Sequence, residues 1–181
     1  MENINQIRLS EKIGCKNSQH KKTEIFSVLD ENNQFEGFES IGLKSICWRK
    51  CYDYGFIEGL GFEWSNGIES TKFGEGKKYP MQKSQISIFQ TIRKVKIWYD
   101  KHHVISMQFF DKSDSFICPQ IGSVTTKSKE EVLTAEILIE KDEIISGVQI
   151  NEIPFCRKKG YPNGYNKLAG ALYNELNIGT I

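Results

Sequence analysis

Cysteine and histidine supply the residue types in this chain that could do chemistry. Cys47 and Cys51 lie four positions apart, which on a β-strand places both thiols on the same face. A structural zinc site needs about four ligands, and no further pair of Cys or His at ligand spacing completes this one. We therefore predict two buried or half-buried thiols and no metal site.

A second candidate is the adjacent pair His102 and His103, which follows a predicted strand. A Cys–His dyad there would need a thiol such as Cys51 or Cys118 to be brought in by folding. The favoured interpretation is a solvent-exposed turn. We predict no catalytic residue, and an enzyme built on these groups is the least favoured class of function.

Two loops have compositions that invite comparison with cofactor sites. The stretch 73–79 mixes lysine with Gly74 and Gly76, but it lacks the Gly-x-x-x-x-Gly-Lys-Ser/Thr spacing that cradles phosphates. The acidic turn at residues 140–143 lacks the spaced oxygen ligands and the glycine of a calcium loop. We predict no cofactor at either loop.

Aromatic side chains are the remaining candidates for binding. Most should lie in the core, because large aromatics dominate small β cores. Trp98 is the exception, since it stands between Ile97 and Tyr99, which strand alternation places on the opposite face. An outward indole offers a platform for a sugar or a peptide.

A repeated apolar phrase indicates which elements position these residues. Ile57–Phe62 aligns without gaps with Val104–Phe109, which starts 47 residues later, and with Ile145–Ile150, which starts 41 residues after that. Self-similarity at a near-constant period is the mark of one supersecondary unit used several times. Each copy is predicted to be the second strand of a β-hairpin, and the third hairpin would join residues 135–139 to residues 145–150.

The predicted fold class is all-β, with three Greek-key-like units that form a β-prism or another closed sheet body. Closure would hide strand edges that otherwise invite aggregation. Three segments are predicted: an N-terminal arm with one short strand (residues 1–35), the β-prism-like domain (36–152) and a C-terminal extension (153–181). The extension should contain a helix over about residues 166–176. Its apolar stripe would dock on the protein's own sheet or serve as a partner interface, formed by Tyr165, Leu168, Leu172 and Leu176.

Composition limits the classes of partner and compartment. The 24 basic and 23 acidic residues give a formal net charge of +1, which argues against nucleic acid as a partner. No apolar stretch approaches the roughly 20 residues of a transmembrane helix. The five cysteines have no regular spacing, and the N-terminus lacks an apolar signal region. These features predict a cytoplasmic or other intracellular reducing compartment.

The three phrases, together with the preceding strand 92–100, resemble the jacalin-related lectins. The resemblance covers roughly residues 41–152 and implies a β-prism of three four-stranded Greek-key sheets. Members of that family bind sugar through a glycine-rich N-terminal loop and a Gly-x-x-x-Asp loop. This chain contains no Gly-x-x-x-Asp, so the resemblance implies the fold and not the sugar site.

Two functional hypotheses follow. The leading one is a non-catalytic structural or interaction subunit of a larger intracellular protein assembly, because both arms could order on other protein subunits. The alternative is a carbohydrate-binding lectin with a divergent site. In that case backbone amides would come from Gly67, Gly74 and Gly76, and a carboxylate from Asp111 or Asp114.

Overall fold

The computed structural model describes twelve β-strands and the turns around them. The described residues are 8–9, 13–14, 22–27, 42–50, 55–65, 67, 69, 80–86, 91–100, 104–124, 131–141, 143, 145–154 and 171–180. For residues 8–9, 13–14, 22–27, 58, 146–154 and 171–180 the backbone alone is described. The strands are β1 (Arg8–Leu9), β2 (Ile13–Gly14), β3 (Lys22–Ser27), β4 (Leu43–Lys50), β5 (Ile57–Trp64), β6 (Gln82–Gln85), β7 (Lys94–Tyr99), β8 (Val104–Phe110), β9 (Ile121–Gly122), β10 (Leu133–Leu138), β11 (Ile145–Pro154) and β12 (Ala171–Thr180).

Within the described ranges these strands form three sheets. The terminal sheet has the order β1, β12, β11, β3, with β2 also paired to β12. The β4 sheet has the order β5, β4, β6, and the β7 sheet has the order β10, β7, β8, β9. The pairings are antiparallel. The part of the chain that the structure describes contains no helix.

The repeated phrase marks one strand in each sheet. Its three copies begin at Ile57, Val104 and Ile145, which are the first residues of β5, β8 and β11. The first two copies close hairpins as predicted, because β5 pairs with β4 and β8 pairs with β7. The all-β class is confirmed.

The third predicted hairpin is wrong. Strand β10 pairs with β7 over Leu133–Leu138, and β11 pairs instead with β12 and β3. Alternation of apolar residues identifies a strand but does not choose its partner, because the pairing energy depends on side chains elsewhere in the chain.

The predicted C-terminal helix is also corrected over the residues that are described. Ala171–Thr180 is strand β12, in register with β11. Leu172 and Leu176 suggested a helix because residues four apart share a helix face, but four is also a multiple of the strand period of two. Tyr165 and Leu168 lie outside the described residues.

The predicted N-terminal strand is β3, and two further short strands, β1 and β2, precede it. These three strands join β11 and β12, so the terminal sheet uses residues from the predicted arm, body and extension. The division at residues 35 and 153 remains a prediction.

The larger of two buried apolar clusters receives residues from all three sheets. Inward positions alternate along β7 and β8, where Ile97, Met107 and Phe109 are fully buried. The β4 sheet adds Trp64, whose indole N–H donates to the carbonyl oxygen of Ile145 at 2.7 Å. Burial of apolar area is the main stabilising contribution, at about 25 cal/mol per Å².

A carboxylate ties the three strands of the β4 sheet together. Glu63 on β5 accepts hydrogen bonds from Ser45 Oγ at 2.7 Å and from Lys44 Nζ at 2.9 Å, both on β4. Lys83 Nζ on β6 lies 2.5 Å from Glu63 Oε2, the same oxygen that accepts from Ser45. These contacts lower the pKa of Glu63 from 4.5 to about 2, with the Lys83 hydrogen bond as the largest cause and those from Ser45 and Lys44 next.

Candidate functional site

The outward face of the β7 sheet carries a group of aromatic, charged and exposed apolar side chains. Because Val95 and Ile97 point into the core, the alternate residues Lys94, Lys96 and Trp98 point outward. The strand register extends these three positions into rows that cross the sheet.

The first row, called here the Phe116 row, runs through Leu138, Lys94 and Phe110. Leu138 is opposite Lys94, and Lys94 is opposite Phe110. Phe116 continues the row through an isolated β-bridge to Phe110. The side chains at its two ends are exposed, 61% for Leu138 and 69% for Phe116. The two ends are about 14 Å apart, so the contiguous apolar part of the row is Phe116 with its neighbour Phe110. Exposed apolar patches are typical of binding surfaces.

A tight turn over residues 111–116 presents Phe116. The Asp111 Oδ1 atom accepts hydrogen bonds from the backbone N–H groups of Ser113 at 2.7 Å and Ser115 at 3.0 Å. The Asp111 and Ser115 backbones also bond to each other. Asp114 adopts a left-handed backbone with φ of 58°, a conformation that Asp tolerates better than most residues. The side chain of Asp111 therefore shapes the turn.

The Phe116 ring packs on the Phe110 ring, which in turn lies beside the Lys94–Asp114 ion pair. Its centroid lies 5.4 Å from that of Phe110 in an edge-to-face arrangement. Lys94 Nζ lies 4.7 Å from the Phe110 centroid and donates to Asp114 Oδ1 at 2.6 Å. That hydrogen bond raises the pKa of Lys94. The Asp114 side chain is 74% exposed, and among the described residues no donor lies on its Oδ2 atom.

The next row along the sheet passes through Lys96. The row after it, called here the Trp98 row, consists of Thr134, Trp98 and Ser106. Trp98 is half-buried and packs with the buried side chains of Phe56 and Ile105. Ser106 is buried, and its hydroxyl donates to the carbonyl oxygen of Ile121 at 2.6 Å. Lys96 Nζ lies 5.2 Å from the Trp98 ring centroid, in the geometry of a cation–π contact.

Comparison with solved structures relates this architecture to known folds. Artocarpin in complex with mannotriose has a TM-score of 0.59 at 11% identity, over 97% of this chain and 98% of artocarpin. The second β-prism domain of RbmC from V. cholerae, bound to N-acetylglucosaminyl-β-1,2-mannose, has a TM-score of 0.50 at 14% identity, over 94% of this chain and 98% of the domain. The fold is β-prism-like.

A third similar structure is the V. cholerae biofilm matrix protein Bap1, with a TM-score of 0.52 at 13% identity. The match covers 96% of this chain but spans only 23% of Bap1. No protein-family model and no curated protein sequence matches the chain. At these identities the likeness shows the fold alone.

The β-prism-like fold brings three of the predicted binding residues to one face. Trp98 is outward as predicted, although half-buried, and Asp111 and Asp114 share the turn that carries Phe116. Gly74 and Gly76 lie outside the described residues. Leu172 and Leu176 belong to β12 in the terminal sheet.

Sequence reasoning missed Phe116 and Lys94. The alternation of β7 could have identified Lys94 as outward, next to Trp98 in the same pattern. Nothing in the local sequence distinguishes the exposed Phe116 from a core phenylalanine, because its position depends on the turn that Asp111 closes.

The buried thiol of Cys118 is a poor nucleophile. Burial raises its pKa from 9.0 to about 11. Its backbone carbonyl accepts a hydrogen bond from Gln108 Nε2 at 2.7 Å. The residues named with it as a possible dyad, His102 and His103, are outside the described part of the chain, as is Cys51.

Two absences hold for the described residues. No group of three or more His, Cys, Asp or Glu side chains is placed to hold a metal ion there. No helix in those ranges has the length and apolarity to cross a membrane.

Proposed function

We propose that this protein is a non-catalytic carbohydrate-binding protein whose sugar site is the turn over residues 111–116. The observation that carries the proposal is that one hydrogen-bonded turn presents both an exposed aromatic ring, Phe116, and an exposed carboxylate, Asp114. The similarity to β-prism structures solved with mannotriose and with N-acetylglucosaminyl-β-1,2-mannose supports the same ligand class.

The chemistry of the turn suits a pyranose ring. A sugar has an apolar face of C–H groups that packs on an aromatic ring, and a rim of hydroxyls that need hydrogen-bond partners. Phe116 offers the ring at low entropic cost, because an aromatic side chain has only two rotatable angles. Asp114 Oδ2 offers a charged acceptor, and hydrogen bonds to ionised groups are stronger than neutral ones.

The charges at the turn favour an uncharged sugar. Lys94 and Asp114 neutralise each other at 2.6 Å. The other two charges of the turn, Asp111 and Lys112, have opposite signs, so the turn as a whole has no net charge that would select a charged ligand. Lys94 retains N–H groups beyond the one that it donates to Asp114, and these could donate to a hydroxyl.

This site differs from the one that the resemblance to jacalin-related lectins implies. The sequence has no Gly-x-x-x-Asp, and the turn over residues 111–116 connects β8 to the segment that precedes β9. We propose that the three sheets correspond to the three units of a prism, and that the sugar site has moved to the β7 sheet. Gly74 and Gly76 remain proposed donors of backbone amides.

The leading sequence hypothesis, a structural subunit of an intracellular assembly, has no support from the similar structures. Those structures favour the lectin alternative. The candidate interface residues Leu172 and Leu176 now lie in a strand with neighbours on both sides, β11 and β1 or β2.

The test is an NMR titration of the ¹⁵N-labelled protein with mannose and with N-acetylglucosamine at millimolar concentration. We expect shift changes that cluster in residues 111–116 for at least one sugar. Phe116→Ala should abolish them and Asp114→Asn should weaken them. Val124→Ala, which shortens another exposed apolar side chain, is the matched control and should leave them unchanged.

Two results would contradict the proposal. One is the absence of any shift change with either sugar. The other is a set of changes that survives Phe116→Ala, which would move the sugar site elsewhere on the protein.

A further inference from the structure

The three tryptophans of the chain differ in how their indole N–H groups are used. The Trp64 N–H donates to the Ile145 carbonyl at 2.7 Å, and the Trp48 N–H donates to Ser84 Oγ at 2.9 Å. Within the described residues the Trp98 N–H has no acceptor. Tryptophan is enriched at interfaces, where its apolar ring is covered and its N–H finds a partner. The unused N–H of the half-buried Trp98 is therefore available to a ligand.

Packing fixes the position of the Trp98 ring. Trp98 packs against Phe56 and Ile105, two buried side chains that form a small cluster separate from the main core, and this contact holds the ring in place. On the outward side it is covered in part by the flexible side chain of Lys96. A ligand could displace this lysine without disturbing the ring, because the contact is a surface cation–π interaction.

The Trp98 row lies at a useful distance from the Phe116 row. Lys94 and Trp98 are four residues apart on β7, which corresponds to about 13 Å along the strand. Phe116 lies beyond β8, about two strand spacings or roughly 10 Å across the sheet from β7. One sugar ring cannot reach both aromatic groups.

One row lies between the Phe116 row and the Trp98 row. It consists of Glu136, Lys96 and Gln108, and it carries no net charge. Lys96 and Glu136 stand directly opposite each other on β7 and β10. Gln108, opposite Lys96 on β8, is buried and bonded to the Cys118 carbonyl, so it forms part of the floor. A charged chain would find no excess of either sign along this path.

We infer that the outward face of the β7 sheet binds an uncharged oligosaccharide, with one sugar on Phe116 and another, more distant sugar at Trp98. The inference rests on the proposed function, because the Phe116 turn is the first of its two subsites. Trp98 adds a hydrogen bond from its N–H to a sugar hydroxyl. The ligand is therefore a chain of several sugars, and a single sugar occupies only the Phe116 subsite.

The experiment compares ligand lengths by isothermal titration calorimetry and NMR. The probes are two series of one to four sugars, one of mannose and one of N-acetylglucosamine. The variants are Trp98→Phe, which keeps an aromatic ring but removes the N–H, and Trp48→Phe, which makes the same change on the β4 sheet. Phe116→Ala tests the first subsite.

We expect wild-type affinity to rise with length in one series. Trp98→Phe should lower affinity for the four-sugar ligand about three- to tenfold, the range of one hydrogen bond, and leave the single sugar unaffected. Trp48→Phe should leave both affinities unchanged.

The outcomes separate the two proposals. Equal affinity for one and four sugars, or a Trp98→Phe variant that keeps the wild-type length dependence, overturns the oligosaccharide site and leaves the Phe116 site standing. If wild-type protein binds no member of either series, or if Phe116→Ala binds single sugars normally, the proposed function itself fails.

Discussion

The indole N–H of Trp64, near the end of the β4 sheet, donates a hydrogen bond of 2.7 Å to the carbonyl oxygen of Ile145 at the start of β11. Both residues are buried, so the bond joins two sheets inside the core. We expect Trp64→Phe to lower the free energy of unfolding by about 2–4 kcal/mol, from an unsatisfied buried carbonyl and a small cavity. Urea denaturation measures this change.

Trp48→Phe is the matched control for that variant. Trp48 also loses a hydrogen bond, to Ser84, but it is only partly buried. Trp48→Phe should therefore lower the free energy of unfolding by about 0.5–1.5 kcal/mol. Equal losses in the two variants would mean that the bond between the sheets has no special role in stability.

Because the Glu63 carboxylate bonds to groups on β4 and β6, we expect protonation of Glu63 in acid to lower the stability of the protein. The folded-state pKa of this carboxylate, about 2, lies below the ordinary 4.5, so its stabilisation is complete above about pH 4.5 and is lost as the pH falls towards 2. Glu63→Gln should therefore remove part of the decline in thermal midpoint between pH 4.5 and 2.

The exposed Glu136 provides the comparison for this pH profile. Glu136→Gln removes the same charge at an exposed position that makes no hydrogen bond or ion pair with the described residues, and whose electrostatic effect on Lys94 is the smallest of those acting on that lysine. It should leave the acid limb unchanged. If the Glu63→Gln profile has the wild-type slope below pH 4.5, another group controls acid unfolding.

Gly122 should tolerate no side chain. Its φ is +75°, and a Cβ atom there would lie 2.5 Å from the carbonyl oxygen of Ile105. We expect Gly122→Ala to cost at least about 2 kcal/mol, since strain and collision with rigid backbone add. Differential scanning calorimetry gives the shift in melting temperature.

Gly67 separates the two causes of that loss. It has a φ of +85° with open space around the position of a Cβ atom, so Gly67→Ala should cost only the backbone strain, about 1–2 kcal/mol. Equal effects of the two substitutions would show that the close approach of Ile105 is relieved at little cost.

Cys118 should be protected from alkylation. With a pKa of about 11 it is about one part in a thousand thiolate at pH 8, and it is buried. Iodoacetamide labelling read by peptide mass spectrometry should modify Cys47, which is half-buried, well before Cys118.

Labelling in 6 M guanidinium chloride is the control for Cys118, and there the two cysteines should react at similar rates. Fast modification of Cys118 in the native protein would show that the segment around it opens readily, and would reopen its candidacy as a nucleophile.

The parts of the fold that the sequence predicted are those set by local alternation. The three copies of the phrase begin β5, β8 and β11. They could be recognised as strands because the short apolar segments are visible in the local sequence, without knowledge of distant residues. The partner of β10 was mispredicted because pairing is decided by contacts between distant segments. Strand β12 was mispredicted because the spacing of Leu172 and Leu176 fits both a helix and a strand.

The candidate site could be predicted only in fragments. Trp98 follows from alternation, and Asp111 and Asp114 are turn-forming residues. Their common face depends on the register of β7 with β8, and the exposure of Phe116 depends on backbone hydrogen bonds to the Asp111 side chain. Strand register and turn geometry arise from contacts between residues in different segments, so they could not be predicted from any one segment of the sequence.

The terminal sheet has a consequence for how the protein comes to be folded. Arg8 pairs with Thr180, and β2 also depends on β12. On the ribosome β1 and β2 therefore have no partner until nearly the whole of this chain has been synthesised. Closing so long a loop is entropically costly and slow. The terminal sheet is therefore completed only after β12 has been synthesised, and until then the edge of β11 that later pairs with β12 is open to a chaperone or to a neighbouring copy.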